Sequence, residues 1–294
     1  MTTTLTLRQY LLLLVYSGFT TRQIYKYACN SDIQYGTQQM LYEKLRDKIA
    51  NAEDPRLYTK LHRFNTLHIN HIEHALSKAK VHAISIDSPD YPQLLKHIYD
   101  PPVILFCRGN LAFLKHTHTL AIVGSRQHTH YTPQALNYLM PHFAQHRLTI
   151  VSGLAQGADA IAHQCAIKAG CATIAVLGFG HRHHYPQHTQ QLRKHIDAYH
   201  LSVSEYPPQT PPAKYRFPER NRLISGLARG VLITEARERS GALITVDQAL
   251  DQNRNVYVLP GDMFNTYTRG NLLRVQEGAE IVLSEKDILK DYCQ

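Results

Sequence analysis

"LAIVGSRQHTHYTPQALNYLMPHFAQHRLTIVSGLAQGADAIAH", residues 120–163, decides the fold. Two short apolar runs, "LAIVGS" and "LTIVSG", each end in a glycine turn and each lead into a stretch of helical composition. A strand that is apolar at every residue, rather than at alternate ones, has both sheet faces covered by helices. The same rhythm recurs in "ATIAVLG" (172–178), "LSVSEY" (201–206), "GVLITEA" (230–236), "NVYVLPG" (255–261) and "AEIVLS" (279–284). Strands alternating with helices indicate an α/β fold with a doubly wound, Rossmann-like, mostly parallel sheet.

Ahead of this core (118–294), the segment 81–117 reads as an extension. It has strands expected at 81–86 and 103–108, with a proline-rich turn and a short helix between them. Residues 1–80 carry helical patterning and no strand. "LRQYLLLLVYSGFTTRQIYKYA" reads as a helix broken at Ser17-Gly18, then a second helix capped by Thr20 or Thr21. Further helices are expected in "TQQMLYEKLRDKIA" and "LHINHIEHALSKAK". The expected organisation is a small all-helical domain over 1–80 and an extended Rossmann-like domain over 81–294.

The chain has 294 residues, enough for two domains with a sizeable core. Lys and Arg total 32 against 23 acids, a net charge of +9, which favours an acidic partner such as nucleic acid. "YLLLLVY" (10–16) is far short of the ~20 apolar residues that cross a bilayer, and it lacks the flanks of a signal peptide. No membrane association is expected. The five cysteines are scattered without a C-x-x-C pair, which points to a reducing cytoplasm rather than a disulfide framework. The 19 histidines are densest in "HRHHYPQH" (181–188), but no ligand spacing accompanies them and no metal is expected.

In such sheets ligands lie outside the carboxyl ends of the strands. Glycine concentrates there, in Gly124-Ser125-Arg126, in Ser152-Gly153 with Gly157 and Asp159 following, in Gly178-Phe179-Gly180 and in Pro260-Gly261-Asp262. Glycine lets backbone N–H groups come close to a phosphate. Neither G-x-G-x-x-G with an acidic residue downstream nor a P-loop is present, so no dinucleotide or ATP cofactor is expected. "KYRFPERNRLISGLARG" (214–230) precedes one of the strands and therefore lies beside the same rim. Cations in the first turns of a helix run against its macrodipole and suit an anionic partner. Cations flanking Phe217 suit a single nucleic-acid strand, with phosphates on the charges and a base on the ring. The competing placement puts Phe217 in the core and pairs the arginines with Glu219, Glu235 and Glu238.

Several ordered motifs lie between about residues 81 and 290: "AIVGSR", "IVSGLAQGADAIAH", "TIAVLGFG" with a later "YP", "SEYPP", "FPERNRLISGLARGVLITEARERSGALIT", and "VYVLPG" with "GNLL" and "QEGA". Together they resemble the DNA-processing protein A family (DprA, also called Smf). The resemblance implies a protein without an evident catalytic reaction or cofactor. It would bind and protect single-stranded DNA and load the RecA recombinase during natural transformation, as a homodimer. Residues 1–80 resemble the small sterile-alpha-motif-like (SAM-like) domain of some members, and the C-terminal winged helix of others is expected to be absent. Carried over, the strand-binding site would comprise Gly124, Ser125, Arg126, Gly153, Lys214, Phe217, Arg220, Asn221 and Arg222. After Tyr185-Pro186 many relatives place lysine or glutamate and then asparagine, where this chain has Gln187 and Thr189.

Two other readings remain. A related Rossmann-like group cleaves nucleoside monophosphates, and Glu205, Glu235 and Asp262 are the carboxylates that such acid–base work would recruit. A pure interaction scaffold would instead act through its helical domain. For assembly, "NLLRVQEGAEIVLS" supplies Leu272, Leu273, Val275, Ile281 and Val282 as a patch that would favour a symmetric dimer.

Overall fold

A computed structural model of the chain describes residues 4–29 and 36–292, which leaves Cys293 outside the described residues. The chain packs as two units, Met1–Tyr91 with Tyr99–Phe106, and Pro92–Ile98 with Cys107–Gln294.

The first unit holds helices α1 (Leu7–Tyr16), α2 (Thr21–Tyr27), α3 (Gln38–Ile49), α4 (Arg56–Thr66) and α5 (Ile69–Lys78), followed by strand β1 (His82–Ser85). Thr6 with Gln9 and Thr20 with Gln23 form reciprocal capping boxes, so α1 and α2 start where their side chains satisfy the orphan N–H groups. Gly18 stands at a φ of 91°, in the left-handed region that glycine enters freely, and this ends α1 at the expected break. Helix α4 is an addition to the sequence reading. Pro55 occupies its N-cap, and Leu57, Leu61 and Phe64, spaced by four and three residues, bury one face. Phe64 meets the Tyr10 ring edge-on at 5.8 Å in the core of this unit.

The second unit opens with the short helix α6 (Gln93–Lys96), and strand β2 (Ile104–Gly109) enters it at Cys107. Then follow β3 (Thr119–Val123), α7 (Tyr131–Gln145), β4 (Thr149–Ser152), α8 (Ala158–Ala169), β5 (Thr173–Leu177), α9 (Gln190–Tyr199) and β6 (Leu201–Ser204). The remainder is α10 (Arg216–Gly226), β7 (Gly230–Ile233), α11 (Gly241–Asp251), β8 (Asn255–Val258), α12 (Arg269–Gln276), β9 (Glu280–Ile281) and α13 (Lys286–Leu289). Every strand expected in the core is present.

Strand order in this unit is β2-β6-β5-β4-β3-β7-β8-β9, and the pairings from β6 to β9 are parallel. Strands β3, β4 and β5 are buried at every residue, as continuous apolar runs require. From β3 the chain lays β4, β5 and β6 to one side, then returns to lay β7, β8 and β9 on the other. Neighbours β3 and β7, with Ala121 opposite Val231, therefore lead away in opposite directions. Their carboxyl ends open a crevice at the switch point of the fold.

Of the apolar stretch near the end, Val282 enters the core, while Leu272, Leu273 and Val275 are half-buried or better and Ile281 is exposed beside Leu283. Among the described residues no helix is long and apolar enough to cross a membrane.

Candidate functional site

A cleft of about 710 Å³ lies at this switch point. Its walls are the loop after β3, the loop after β4, the loop after β7, and the first turns of α10 with the preceding Lys214.

The loop after β3 carries Arg126, which is exposed. Glu235, wholly buried just past β7, fastens that loop from beneath. Its carboxylate accepts from the Thr129 N–H at 3.1 Å and hydroxyl at 2.8 Å, and from the Thr132 N–H at 3.2 Å and hydroxyl at 2.6 Å. Ser125 donates its N–H to the Glu235 carbonyl at 2.6 Å, and its hydroxyl accepts from the Gln127 N–H at 3.2 Å. At Gly124 a Cβ would stand 2.6 Å from the Ala158 Cβ, so the strand can turn this closely only on glycine. Gly124 and Ser125 shape the loop, and Arg126 is the charge it presents.

The cleft is also lined by Lys214, likewise exposed, on the segment that leads into α10. Arg216 fixes this segment: its guanidinium lies over the rings of Tyr206 and Tyr215, at 5.4 and 5.2 Å from their centroids, and donates to the Pro211 carbonyl. Neither Arg126 nor Lys214 has a carboxylate partner among the described residues. In the same cleft the half-buried Phe217 ring rests on Gly178, where a Cβ would approach its Cδ1 to 3.0 Å. The Tyr185 ring stands 5.6 Å from Phe217 and is tilted by 39°. Below this ring pair a small recess of about 40 Å³ is lined by Arg126, Gly153, Phe179, Pro186 and Arg220.

Arg220 does not project into the crevice as a free cation. It is 4% exposed, and its guanidinium donates to the Gly153 carbonyl at 2.7 Å and to the Val176 carbonyl. Burial pushes the Asp159 carboxyl above its ordinary range, and the Arg220 charge pulls it back. Asp159, the one carboxylate lining the cleft among the described residues, is thus buried beside a compensating cation. Gly153 is required here because a Cβ would meet the Arg220 guanidinium at 2.5–2.6 Å. Arg222 is absent from the cleft lining and pairs with Glu205 at 2.6 Å, with both side chains largely buried. Asn221 does line the cleft, and its amide donates to the Gly241 carbonyl at 3.4 Å. The structure therefore brings every expected residue except Arg222 to the cleft or the recess beneath it, with Gly153 and Arg220 as its floor. Phe217 serves both core and cleft.

Residues 82–293 match the model of a family described as DNA recombination-mediator protein A. The chain belongs to this family. It is 39% identical to the DNA processing protein DprA of Bacillus subtilis over 87% of this chain and 84% of that one. It is 37% identical to DprA of Streptococcus pneumoniae over 94% and 95% of the two chains. The X-ray structure of the pneumococcal protein superposes with a TM-score of 0.84 and 35% identity, covering 98% of this chain and 99% of that one. DNA processing protein A from Helicobacter pylori, solved in a study of its single-stranded DNA binding mode, gives a TM-score of 0.65 at 28% identity, over 72% and 97%. The family read from the motifs and the Rossmann-like fold are both borne out.

In this recombination mediator, Tyr185, Arg237 and Arg239 are among the cleft residues that the sequence did not assign to the site. The two arginines follow the carboxyl end of β7 in "TEARERSGALIT", where the rule for open α/β sheets directs attention. None of the carboxylates considered for acid–base work lines the cleft. Glu205 pairs with Arg222, Glu235 staples the β3–α7 loop, and Asp262 accepts the Phe264 N–H at 2.7 Å as a turn former. In the histidine-rich stretch, buried His181 contacts Arg193 at 2.9 Å, and the His183 ring lies 2.9 Å from the Gln209 carbonyl. Among the described residues no group of three His, Cys, Asp or Glu side chains could hold a metal.

Proposed function

We propose that the cleft binds single-stranded DNA without base specificity. Arg126 and Lys214 would take phosphates, Phe217 would stack a base with Tyr185 beside it, and Asn221 would supply a polar contact. Arg220 and Arg222 act one step back: Arg220 supports the floor at Gly153 and Arg222 locks α10 to Glu205. The single observation that carries this reading is a pair of exposed cations without carboxylate partners lining one cleft together with a partly exposed aromatic ring. Unpaired cations give sequence-independent backbone affinity, and an aromatic face accepts any base. The single-stranded DNA binding mode studied in the Helicobacter pylori relative supports the same reading.

On this basis the protein works as a binding and loading factor rather than an enzyme, in the cytoplasm and without a cofactor. It delivers RecA onto incoming strands during natural transformation, as a homodimer. The exposure of Ile281 at 41% and Leu283 at 80% supports an apolar dimer face at β9. The helical first unit, SAM-like in the sequence reading, would serve as a separate module. The decisive experiment is fluorescence anisotropy with single- and double-stranded oligonucleotides across several salt concentrations. Preference for the single strand, with affinity falling steeply as salt rises, is expected. Equal affinity for the two forms at moderate salt overturns it.

A further inference from the structure

Beyond the Arg126–Lys214 pair, the cleft continues along the loop after β7, where Arg237 and Arg239 line it and are exposed. Neither has a carboxylate partner among the described residues. The Arg237 guanidinium lies 4.4 Å from the centroid of the Tyr267 ring. Tyr267 belongs to the loop between β8 and α12, so the two loops meet at this stack.

That second loop is firmly placed. Asn271, in the first turn of α12, accepts the Ala236 N–H at 2.9 Å and donates to the carbonyls of Thr234 and Leu259 at 2.8 and 2.9 Å. The Gly270 N–H donates to the Ala236 carbonyl at 2.8 Å, and a Cβ on Gly270 would crowd the carbonyls of Ala236 and Arg237. Within the loop, Asp262 accepts the Phe264 N–H, Asn265 donates its N–H to the Asp262 carbonyl at 3.0 Å, and the Tyr267 N–H donates to the Asn265 side chain at 2.9 Å. These turns hold Phe264 outward, 85% exposed. With its neighbour Met263, 70% exposed, it makes a small apolar patch at the tip of this loop.

We infer that the DNA path extends from the Arg126–Lys214 pocket across Arg239 and Arg237 to Phe264, which forms a second base-stacking platform. This rests on the single-strand reading above and adds to it a second set of contacts at the same sheet edge. Cations without carboxylate partners, and an exposed ring on the loop whose Tyr267 stacks on Arg237, repeat on the β7–β8 side the chemistry of Lys214 and Phe217. A short strand would fill only the first pocket, and a longer one would reach both.

The test compares oligothymidylates of about 5 and about 20 nucleotides, sizes that bracket common single-strand sites. Phe264→Ala should weaken binding of the long oligomer by at least about fivefold and leave the short one unchanged. Phe264→Tyr should restore the wild-type value. Arg239→Ala and Arg237→Ala should each flatten the salt slope for the long oligomer by about 0.7. All four positions in this comparison, Lys214 included, are solvent-facing, and thermal melting checks that each variant is folded. If Lys214→Ala weakens both oligomers while the Phe264, Arg237 and Arg239 variants bind the long one normally, the extension is overturned and the first pocket stands. If the wild-type protein binds neither oligomer, the single-strand reading falls and takes the extension with it.

Discussion

The guanidinium of Arg220 sits beneath Gly153, donating to its carbonyl at 2.7 Å, in space that any other residue's Cβ would occupy. Two residues far apart in sequence thus share one volume, and the floor of the cleft depends on both. Gly153→Ala should push the guanidinium off its carbonyl partners and destabilise the fold by about 1–3 kcal/mol, the usual scale of overpacking. Chemical denaturation measures the loss. Full stability in this variant would mean that Arg220 can leave its place freely.

Arg126→Ala and Lys214→Ala should each weaken single-strand binding by about 1–2 kcal/mol and flatten the salt slope by about 0.7 for each phosphate left without its cation. Both side chains are exposed, so melting temperatures should stay close to wild type, as surface substitutions usually do. Normal binding with early melting would assign both residues to the scaffold.

Phe217 has a double role, and its variants should separate the two. Phe217→Ala should lower affinity by about 1–3 kcal/mol without altering the salt slope, since no charge is removed. It should also cost some stability, less than the ~3–5 kcal/mol of a fully enclosed phenylalanine. Phe217→Tyr should bind like wild type. Gly178→Ala tests the seat of the ring from below: its Cβ would tilt Phe217 toward Tyr185 and change affinity at constant charge. An unchanged affinity in both alanine variants removes Phe217 from the site.

Arg222→Ala removes the Arg222–Glu205 ion pair, and loss of one member of a largely buried pair should cost about 3 kcal/mol. The folded fraction should still bind oligonucleotide with wild-type affinity and salt slope. A slope flattened to the extent seen for Lys214→Ala would instead place Arg222 against a phosphate.

His163 is wholly buried, and burial holds its ring well below the usual histidine range, at about 3. Its Nδ1 is 2.7 Å from the Thr173 hydroxyl. Because the unfolded chain takes up the proton near pH 6.5 and the folded one does not, stability should fall as pH drops below about 6.5, approaching ~1.4 kcal/mol per unit from this group. The partly buried His116, His184 and His200 shift in the same direction and steepen the trend. Urea unfolding at pH 7, 6 and 5 measures it, and His163→Gln should flatten the profile. Equal stability at all three values would contradict a neutral, buried ring.

The fold was legible because its strands are continuous apolar runs punctuated by glycine, a pattern that survives without any knowledge of packing. Helix α4 escaped because Pro55 and Asp54 look like loop residues, and only the spacing of Leu57, Leu61 and Phe64 betrays the buried face. At the site, Lys214, Phe217 and Asn221 could be read from local chemistry. Arg220 and Arg222 could not be told from them, because an arginine written beside a helix start looks the same whether its charge meets solvent or a carbonyl two strands away. Tyr185 joins the site through a ring contact with Phe217 across 32 positions of chain, a proximity that sequence order does not encode.

Asn271 ties the ends of β7 and β8 together through three hydrogen bonds from one amide group. The β7 loop that walls the crevice and the β8 loop beside it therefore cannot drift apart independently, and their spacing is fixed before any partner arrives. Association then needs little loop ordering, so the encounter should be fast, steered by long-range attraction, and limited by diffusion rather than by rearrangement. Releasing that tie with Asn271→Ala should slow capture of the strand even where the contacts made afterwards are the same.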